Sequence, residues 1–264
     1  MKRWIFLLIY LITALLAILS VPNYEASGMK VFSNPSDVSN SILYFGAILF
    51  FTALVLLLAK KSEKFLRVLM YFLVFVSIYY VLIPFLGNLS ALLALILVIL
   101  LVKKPSWIVI DISALLLAAG ITSMFGISLE PLPVIVLLII LAIYDAISVY
   151  KTEHMIDLAD SIVKMGLPML FIIPDKDRPT LLGVGDVVIP NILVVSAQTF
   201  IEAPKILFIK IPALTTLLGG LIGMVALIIV AEKFRRAHAG LPFLNLGALI
   251  GFVVGMVILG HPSL

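Results

Sequence analysis

The sequence lacks cysteine and has only three histidines, His154, His238 and His261. Without cysteine the chain can form no disulfide, no thiolate nucleophile and no cysteine-based metal site. The histidines are far apart in the chain and no His-Glu-x-x-His motif is present, which excludes the usual arrangement of a zinc protease. We therefore expect chemistry that needs no metal and no other cofactor.

Charged residues are also scarce. They make up 12% of the chain, about half of what a soluble protein carries, while 63% of the residues are hydrophobic and the mean hydropathy is +1.28. This composition predicts an integral membrane protein. The net charge of +4 does not indicate a nucleic-acid partner, because Lys and Arg in a membrane protein mainly set its orientation.

The apolar runs predict the number of membrane spans. A spanning helix needs about 20 apolar residues, so the chain can hold about nine spans in a single all-α bundle. The predicted spans, of which the first is expected to be retained rather than cleaved as a signal peptide, are 4–21, 41–59, 65–86, 88–102, 106–125, 132–150, 181–201, 206–231 and 241–260. The break between the third and fourth runs is weak, and these two runs could also be divided differently.

Positive charges predict the orientation of the bundle. With a cytoplasmic N-terminus, fifteen of the 18 Lys and Arg residues fall on the inside, and only Lys30, Lys205 and Lys210 fall outside. This asymmetry favours an N-terminus in the cytoplasm and a C-terminus outside the cell membrane. Within one membrane domain, we expect residues 1–130 to form a five-helix scaffold and 131–264 to carry helices six to nine. Helical spacing over 152–165, in the longest break, predicts an interfacial helix.

Three carboxylates, Asp111, Asp145 and Asp186, fall well within apolar runs. An ionisable group costs free energy in a bilayer and is a functional-site hypothesis by default. With a rise of ~1.5 Å per residue, Asp145 and Asp186 each lie roughly 8–9 Å from the cytoplasmic end of their helices. Since these two spans are antiparallel neighbours, we expect the carboxyl groups of Asp145 and Asp186 to meet, and we expect a structural role for Asp111.

Two neighbouring carboxyl groups do not both ionise readily, so one keeps its proton. The ionised group can take a proton from water that attacks a peptide carbonyl, while the protonated group hydrogen-bonds the carbonyl oxygen. A proton- or cation-coupled carrier or channel would use the same pair, and a non-catalytic scaffold would not need it. The residue pattern by itself leaves the protease and the carrier open.

Glycines surround the second aspartate. Gly183 and Gly185 leave space beside Asp186, where another backbone can approach, and they loosen the start of the helix. Pro190 removes a backbone hydrogen bond one turn later. In the last two spans, glycines at intervals of four predict close helix packing, at positions Gly219, Gly223, Gly247, Gly251 and Gly255.

Two motifs carry a resemblance to a known family. Tyr144-Asp145 and Gly183-Val184-Gly185-Asp186 resemble the YD and GxGD motifs of the presenilin/signal peptide peptidase family of intramembrane aspartyl proteases. The family's third motif, Pro-Ala-Leu at the start of the last span, is matched by Pro242-Phe243-Leu244, where Phe replaces Ala. A literal Pro212-Ala213-Leu214 opens the eighth span on the outer side, far from both aspartates.

The resemblance implies an endopeptidase that hydrolyses transmembrane helices near the cytoplasmic leaflet, with transmembrane or signal-peptide-like proteins as substrates. It implies catalytic roles for Asp145 and Asp186, and site-shaping roles for Tyr144, Gly183, Gly185, Pro242, Phe243 and Leu244. The 151–180 loop has no large insertion, and in this the chain resembles a compact prokaryotic, archaeal-type presenilin homologue. Whether the chain needs partner subunits or forms a homo-oligomer is left open.

Overall fold

The structure, a computed structural model, describes residues 2–61, 63–152, 166–174, 179–234 and 238–260. In these residues a 3-10 turn, Lys2–Trp4, leads into nine α-helices: α1 (Ile5–Ala26), α2 (Ser39–Lys61), α3 (Glu63–Leu86), α4 (Leu89–Lys103), α5 (Trp107–Gly126), α6 (Pro131–Ile147), α7 (Val184–Phe200), α8 (Ile211–Phe234) and α9 (Leu241–Ile258). A π-helical turn, Ser148–Thr152, extends α6. Nearly all of the interfacial helix expected over 152–165 lies outside the described residues.

Length and hydropathy support the membrane prediction. Six of the described helices, α1, α3, α5, α6, α8 and α9, are long and apolar enough to cross a membrane, and α2, α4 and α7 contain shorter apolar stretches. The weak break between the third and fourth runs is a true helix boundary, because Gly87 adopts a φ of +52°, which other residues rarely tolerate. The all-α prediction is confirmed at this level.

Two short antiparallel hairpins are present that the sequence does not predict. In the first, β1 (Leu170–Ile173) pairs with β2 (Thr180–Gly183), with Leu170 opposite Gly183 and Ile172 opposite Leu181. In the second, β3 (Lys205–Ile206) pairs with β4 (Ile209–Lys210). The strand β2 and the second hairpin occupy the beginnings of the predicted runs 181–201 and 206–231, so that α7 and α8 start at Val184 and Ile211.

The first helix is longer than its apolar run. The run predicts an end at residue 21, before Pro22, but α1 continues through this proline to Ala26. Tyr24 explains the extension, because its side chain is fully buried and its hydroxyl donates a 2.8 Å hydrogen bond to the carbonyl of Val81 in α3. A tertiary contact thus offsets the backbone hydrogen bond that Pro22 removes.

The helix α7 lies at the centre of the bundle. Every residue from Val187 to Ala197 is buried, and α7 contacts α1, α5, α6, α8 and α9. A helix that is apolar on all sides is expected in such a position. Its N-terminal turn carries Asp186, so the position of this acid of the GxGD motif is set by a helix that is packed on all sides.

Glycines bring α8 and α9 together, as their spacing predicts. A β-carbon on Gly219 would overlap the carbonyl oxygen of Gly247, and one on Gly223 would overlap that of Phe243. The two backbones are therefore in direct contact along this interface, which a small-residue face permits. Because α8 is held so closely, it supports the N-terminal end of α9.

Candidate active site

Asp186 is held by the turn that begins its own helix. Gly183 is the N-cap of α7, with an extended backbone (φ −62°, ψ 136°), and Asp186 is the third residue of the helix. Its carboxyl group accepts a hydrogen bond from the backbone of Gly183, which is one half of a capping box. A β-carbon on Gly183 would lie 3.0 Å from Oδ2 of Asp186. The first glycine of the motif thus leaves room for the acid to fold back over the helix start.

Asp145 reaches a different helix. It lies in the last turn of α6 and is only 8% exposed. Its Oδ2 accepts a 3.1 Å hydrogen bond from the backbone N–H of Leu241, and the backbone of Gly240 also donates to it. Gly240 and Leu241 are the N-cap and first residue of α9. The carboxyl group therefore occupies a helix N-terminus, where unpaired N–H groups and the helix dipole favour an anion.

The two acids converge on Gly240. The Cγ of Asp186 would be 2.8 Å from a β-carbon at this position, and its Oδ2 would be equally close. Asp145 takes its hydrogen bonds from the same short segment, and the two carboxyl groups interact electrostatically. Gly240 was not among the residues predicted from the motifs. Its place immediately before Leu241-Pro242, at the start of the last span, is the signal that marks it.

The third motif supports the site through the backbone. Pro242 is the second residue of α9, where a proline is tolerated because its missing N–H has no partner within the helix. Leu244 is fully buried, and the Phe243 carbonyl faces Gly223 of α8. The literal Pro-Ala-Leu lies elsewhere, since a β-carbon on Gly255, at the opposite end of α9, would be 2.7 Å from the Cα of Pro212.

Tyr144 contacts a different helix from the one that Asp145 bonds. Its ring packs edge-on against Phe45 of α2, with 5.7 Å between the ring centroids, whereas its neighbour Asp145 points to α9. Successive residues of a helix differ in direction by about 100° because one turn takes 3.6 residues. Tyr144 therefore orients the α2–α6 contact beside the acids.

A cavity of about 470 Å³ is lined in part by Val184 and Gly185, the two residues directly before Asp186. Its walls come from α2, α3 and α5 and from the segment that precedes β1. The lining is apolar except for one serine, and consists of Phe51, Leu73, Val74, Ser77, Leu117, Ile121, Pro168, Met169, Val184 and Gly185. A β-carbon on Gly185 would meet nothing within 4 Å, so the space beside the second glycine of the motif is open.

The family model described as "Signal-peptide peptidase, presenilin aspartyl protease" matches residues 7–261. The chain belongs to this family. Two solved structures of a presenilin family intramembrane aspartate protease, in space groups C222 and P2, are similar to it over 96% of both chains, with 35% and 36% sequence identity and TM-scores of 0.72 and 0.74. The comparison with curated proteins found no match.

Membership of the presenilin/signal peptide peptidase family confirms the prediction of an intramembrane aspartyl protease and of a multi-pass integral membrane protein. The carrier that the residue pattern left open has no such support. An intramembrane protease implies transmembrane peptides as substrates. The division of the chain at residue 130 stays a prediction.

Proposed function

We propose that Asp145 and Asp186 are the catalytic pair of this protease and that they hydrolyse peptide bonds with an activated water. The observation that carries the proposal is their convergence on Gly240–Leu241, although α6, α7 and α9 supply the three parts from distant positions in the chain. Capping of α7 and of α9 accounts for each carboxyl group separately. It does not account for two of them lying side by side, which is unfavourable unless they share a proton.

The pair would divide the work of acid and base. The ionised carboxylate takes a proton from water, whose oxygen then attacks the carbonyl carbon of the scissile bond, and the protonated carboxyl donates a hydrogen bond to the carbonyl oxygen. When the tetrahedral intermediate collapses, the C–N bond breaks and the leaving nitrogen takes a proton from the pair. A carboxylic acid and a carboxylate remain, ready for the next cycle.

The substrate would reach the acids through the cavity between α2, α3 and α5. Its apolar lining suits the side chains of a transmembrane helix, and its wall includes Val184 and Gly185, the two residues before Asp186. Hydrolysis needs an extended peptide, because a closed helix hides its carbonyl groups. The edge of the β1–β2 hairpin next to Gly183 offers backbone groups with which an extended segment can pair. Tyr144, Pro242, Phe243 and Leu244 would shape this region through the packing described above.

We further propose that the N-terminus is cytoplasmic, that the C-terminus is outside and that all nine helices cross the bilayer. The distribution of Lys and Arg supports this orientation. The ends of α6 and the starts of α7 and α9 would then place the acids near the cytoplasmic leaflet. Labelling of single cysteines introduced at residues 34 and 88, in the cysteine-free chain, would test the topology with a membrane-impermeant reagent. Labelling from outside at 34 and 88 is expected; protection of both would overturn the orientation.

Cleavage in lipid vesicles tests the catalytic assignment. The purified chain, its Asp145→Asn form and its Asp186→Asn form would be incubated with a single-span reporter in the same membrane. We expect each variant to lose at least about 100-fold in kcat, because general acid–base catalysis contributes roughly 10²–10⁴-fold. Asp37→Asn is the matched control, since Asp37 is an exposed loop acid that caps α2 through a 2.8 Å bond from the Ser39 N–H. Full activity in either site variant would end the assignment.

A further inference from the structure

Asp111 is the one carboxylate, of the three that fall well within apolar runs, that the proposed chemistry does not use. It is the fifth residue of α5 and is only partly exposed. Placing a charged side chain at this depth in an apolar run costs free energy, so we expect a contact that compensates for the cost. The structure shows this contact, because Oδ1 of Asp111 accepts a 2.8 Å hydrogen bond from the backbone N–H of Ile172 in β1.

This hydrogen bond defines the two edges of the hairpin. The N–H of Ile172 points to α5 and therefore away from β2, so Ile172 and Leu181 form a non-hydrogen-bonded pair of the antiparallel ladder. The backbone groups of Leu181 must then point away from β1, and two residues on those of Gly183 do the same. Of these outward groups, Gly183 already bonds the Asp186 carboxyl group. The outer edge of β2 therefore ends beside the carboxyl group of Asp186.

The outer edge of β1 is closed by the same contact. It packs along α5, where Asp111 satisfies its N–H group. A strand edge within a membrane has no water to bond its polar groups, and an open edge is a template for pairing with another chain. With β1 covered, the described part of the hairpin leaves the outer edge of β2 to an extended substrate segment, with the backbone groups of Leu181 and the carbonyl of Gly183.

We propose that Asp111 is a positioning residue of the protease. Its carboxyl group fastens β1 to α5, and through the ladder it sets the place of β2 and Gly183 relative to Asp186. The proposal rests on the proposed function, because it assigns to Asp111 the register in which a substrate meets the catalytic pair. Asp111 acts through an acceptor oxygen, so its charge is not required.

Three substitutions separate this role from general stability. Asp111→Asn keeps an acceptor oxygen at the same distance and removes the charge. Asp111→Leu removes the acceptor at similar size, and Asp111→Glu keeps it but moves it by about one bond length, roughly 1.5 Å. Ser113→Ala is the control on the same helix, because the buried Ser113 hydroxyl lies two residues away and bonds no strand in the described contacts. Each form is assayed for kcat, KM, melting temperature and the masses of its cleavage products.

We expect Asp111→Asn to retain kcat within about threefold and to cut at the wild-type position. Asp111→Leu should lose about tenfold or more in kcat and cut at additional bonds one or two residues away, since the hairpin no longer has one register. Hydrogen exchange at the Ile172 amide should rise in the same variant. If Asp111→Leu does not fold, Asp111→Glu is expected to show the altered cleavage pattern instead.

Two results would overturn the proposal. A single wild-type cleavage position with wild-type kcat in Asp111→Leu, or in Asp111→Glu where the leucine form does not fold, would show that the contact does not set the register. A loss in Asp111→Asn as large as that in Asp186→Asn would show that the carboxylate itself takes part in the chemistry. Failure of the proposed function is distinguishable, because Asp145→Asn and Asp186→Asn would then remain active whatever Asp111 does.

Discussion

Replacing Gly240 by alanine is the most direct test of how the two acids are held. The new β-carbon would lie 2.8 Å from the Cγ of Asp186 and 3.1 Å from its Oδ1. Carbon atoms in contact prefer a separation of about 3.5–4.0 Å. The carboxyl group, or the start of α9, must therefore move by roughly 0.7–1.2 Å to restore that separation.

The size of the effect follows from this displacement. A misplacement of about 1 Å in an active site can cost about 100-fold in rate, equivalent to about 2.7 kcal/mol of transition-state stabilisation. Since the Asp186 side chain can rotate to relieve part of the overlap, we expect kcat to fall about 10- to 100-fold. The backbone itself accepts alanine, because Gly240 has a helical conformation with φ −80° and ψ −45°. The melting temperature should therefore stay the same or rise slightly.

The assay is cleavage of a single-span reporter in lipid vesicles, with thermal unfolding of the same preparations. Gly46→Ala is the matched control, because Gly46 is an exposed residue of α2 whose β-carbon would meet nothing within 4 Å. A Gly240→Ala form with kcat within about twofold of the wild type would refute the reasoning that α9 holds Asp186 by close contact. A large fall in melting temperature would show instead that the substitution disturbs the fold.

Two further predictions concern the other glycines. We expect Gly185→Leu to raise KM several-fold without lowering the melting temperature, since this position is open in the free protein and borders the cavity; an unchanged KM would show that substrate does not pass there. Gly219→Leu should lower stability by at least about 1–3 kcal/mol, the usual cost of overpacking, because its side chain would overlap the Gly247 backbone. Thermal unfolding compared with Gly46→Leu checks this, and equal melting temperatures would contradict the packing described for α8 and α9.

The sequence is sufficient to predict a membrane protein and to find the aspartates that lie within apolar runs. Long apolar runs bury well only in lipid or in the middle of a bundle, and a carboxylate among them needs a reason. Asp145 and Asp186 are therefore recognisable from the order of residues alone, and so are the glycines beside Asp186. The number of runs also agrees with the nine helices among the described residues.

Contacts between distant segments are beyond sequence reasoning. Neither Gly240 nor the Ile172 amide carries a local signal of its partner, since Asp145 and Leu241 are 96 residues apart and Asp111 and Ile172 are 61 apart. The residues of β1 and β2 resemble a loop and the start of a span, because a strand of four residues is too short to show a distinctive period. The helix α1 continues past Pro22 to Tyr24, whose hydroxyl bonds the carbonyl of Val81 in α3, a contact that the sequence does not reveal.

Local chemistry therefore identifies the candidate functional residues, since the free-energy cost of a charge in an apolar run depends on its immediate neighbours in the chain. Folding decides where they meet. The backbone N–H groups at the start of α9 and the edge of β1 are supplied by segments remote in sequence, and only packing brings a donor within hydrogen-bonding distance of a carboxyl oxygen.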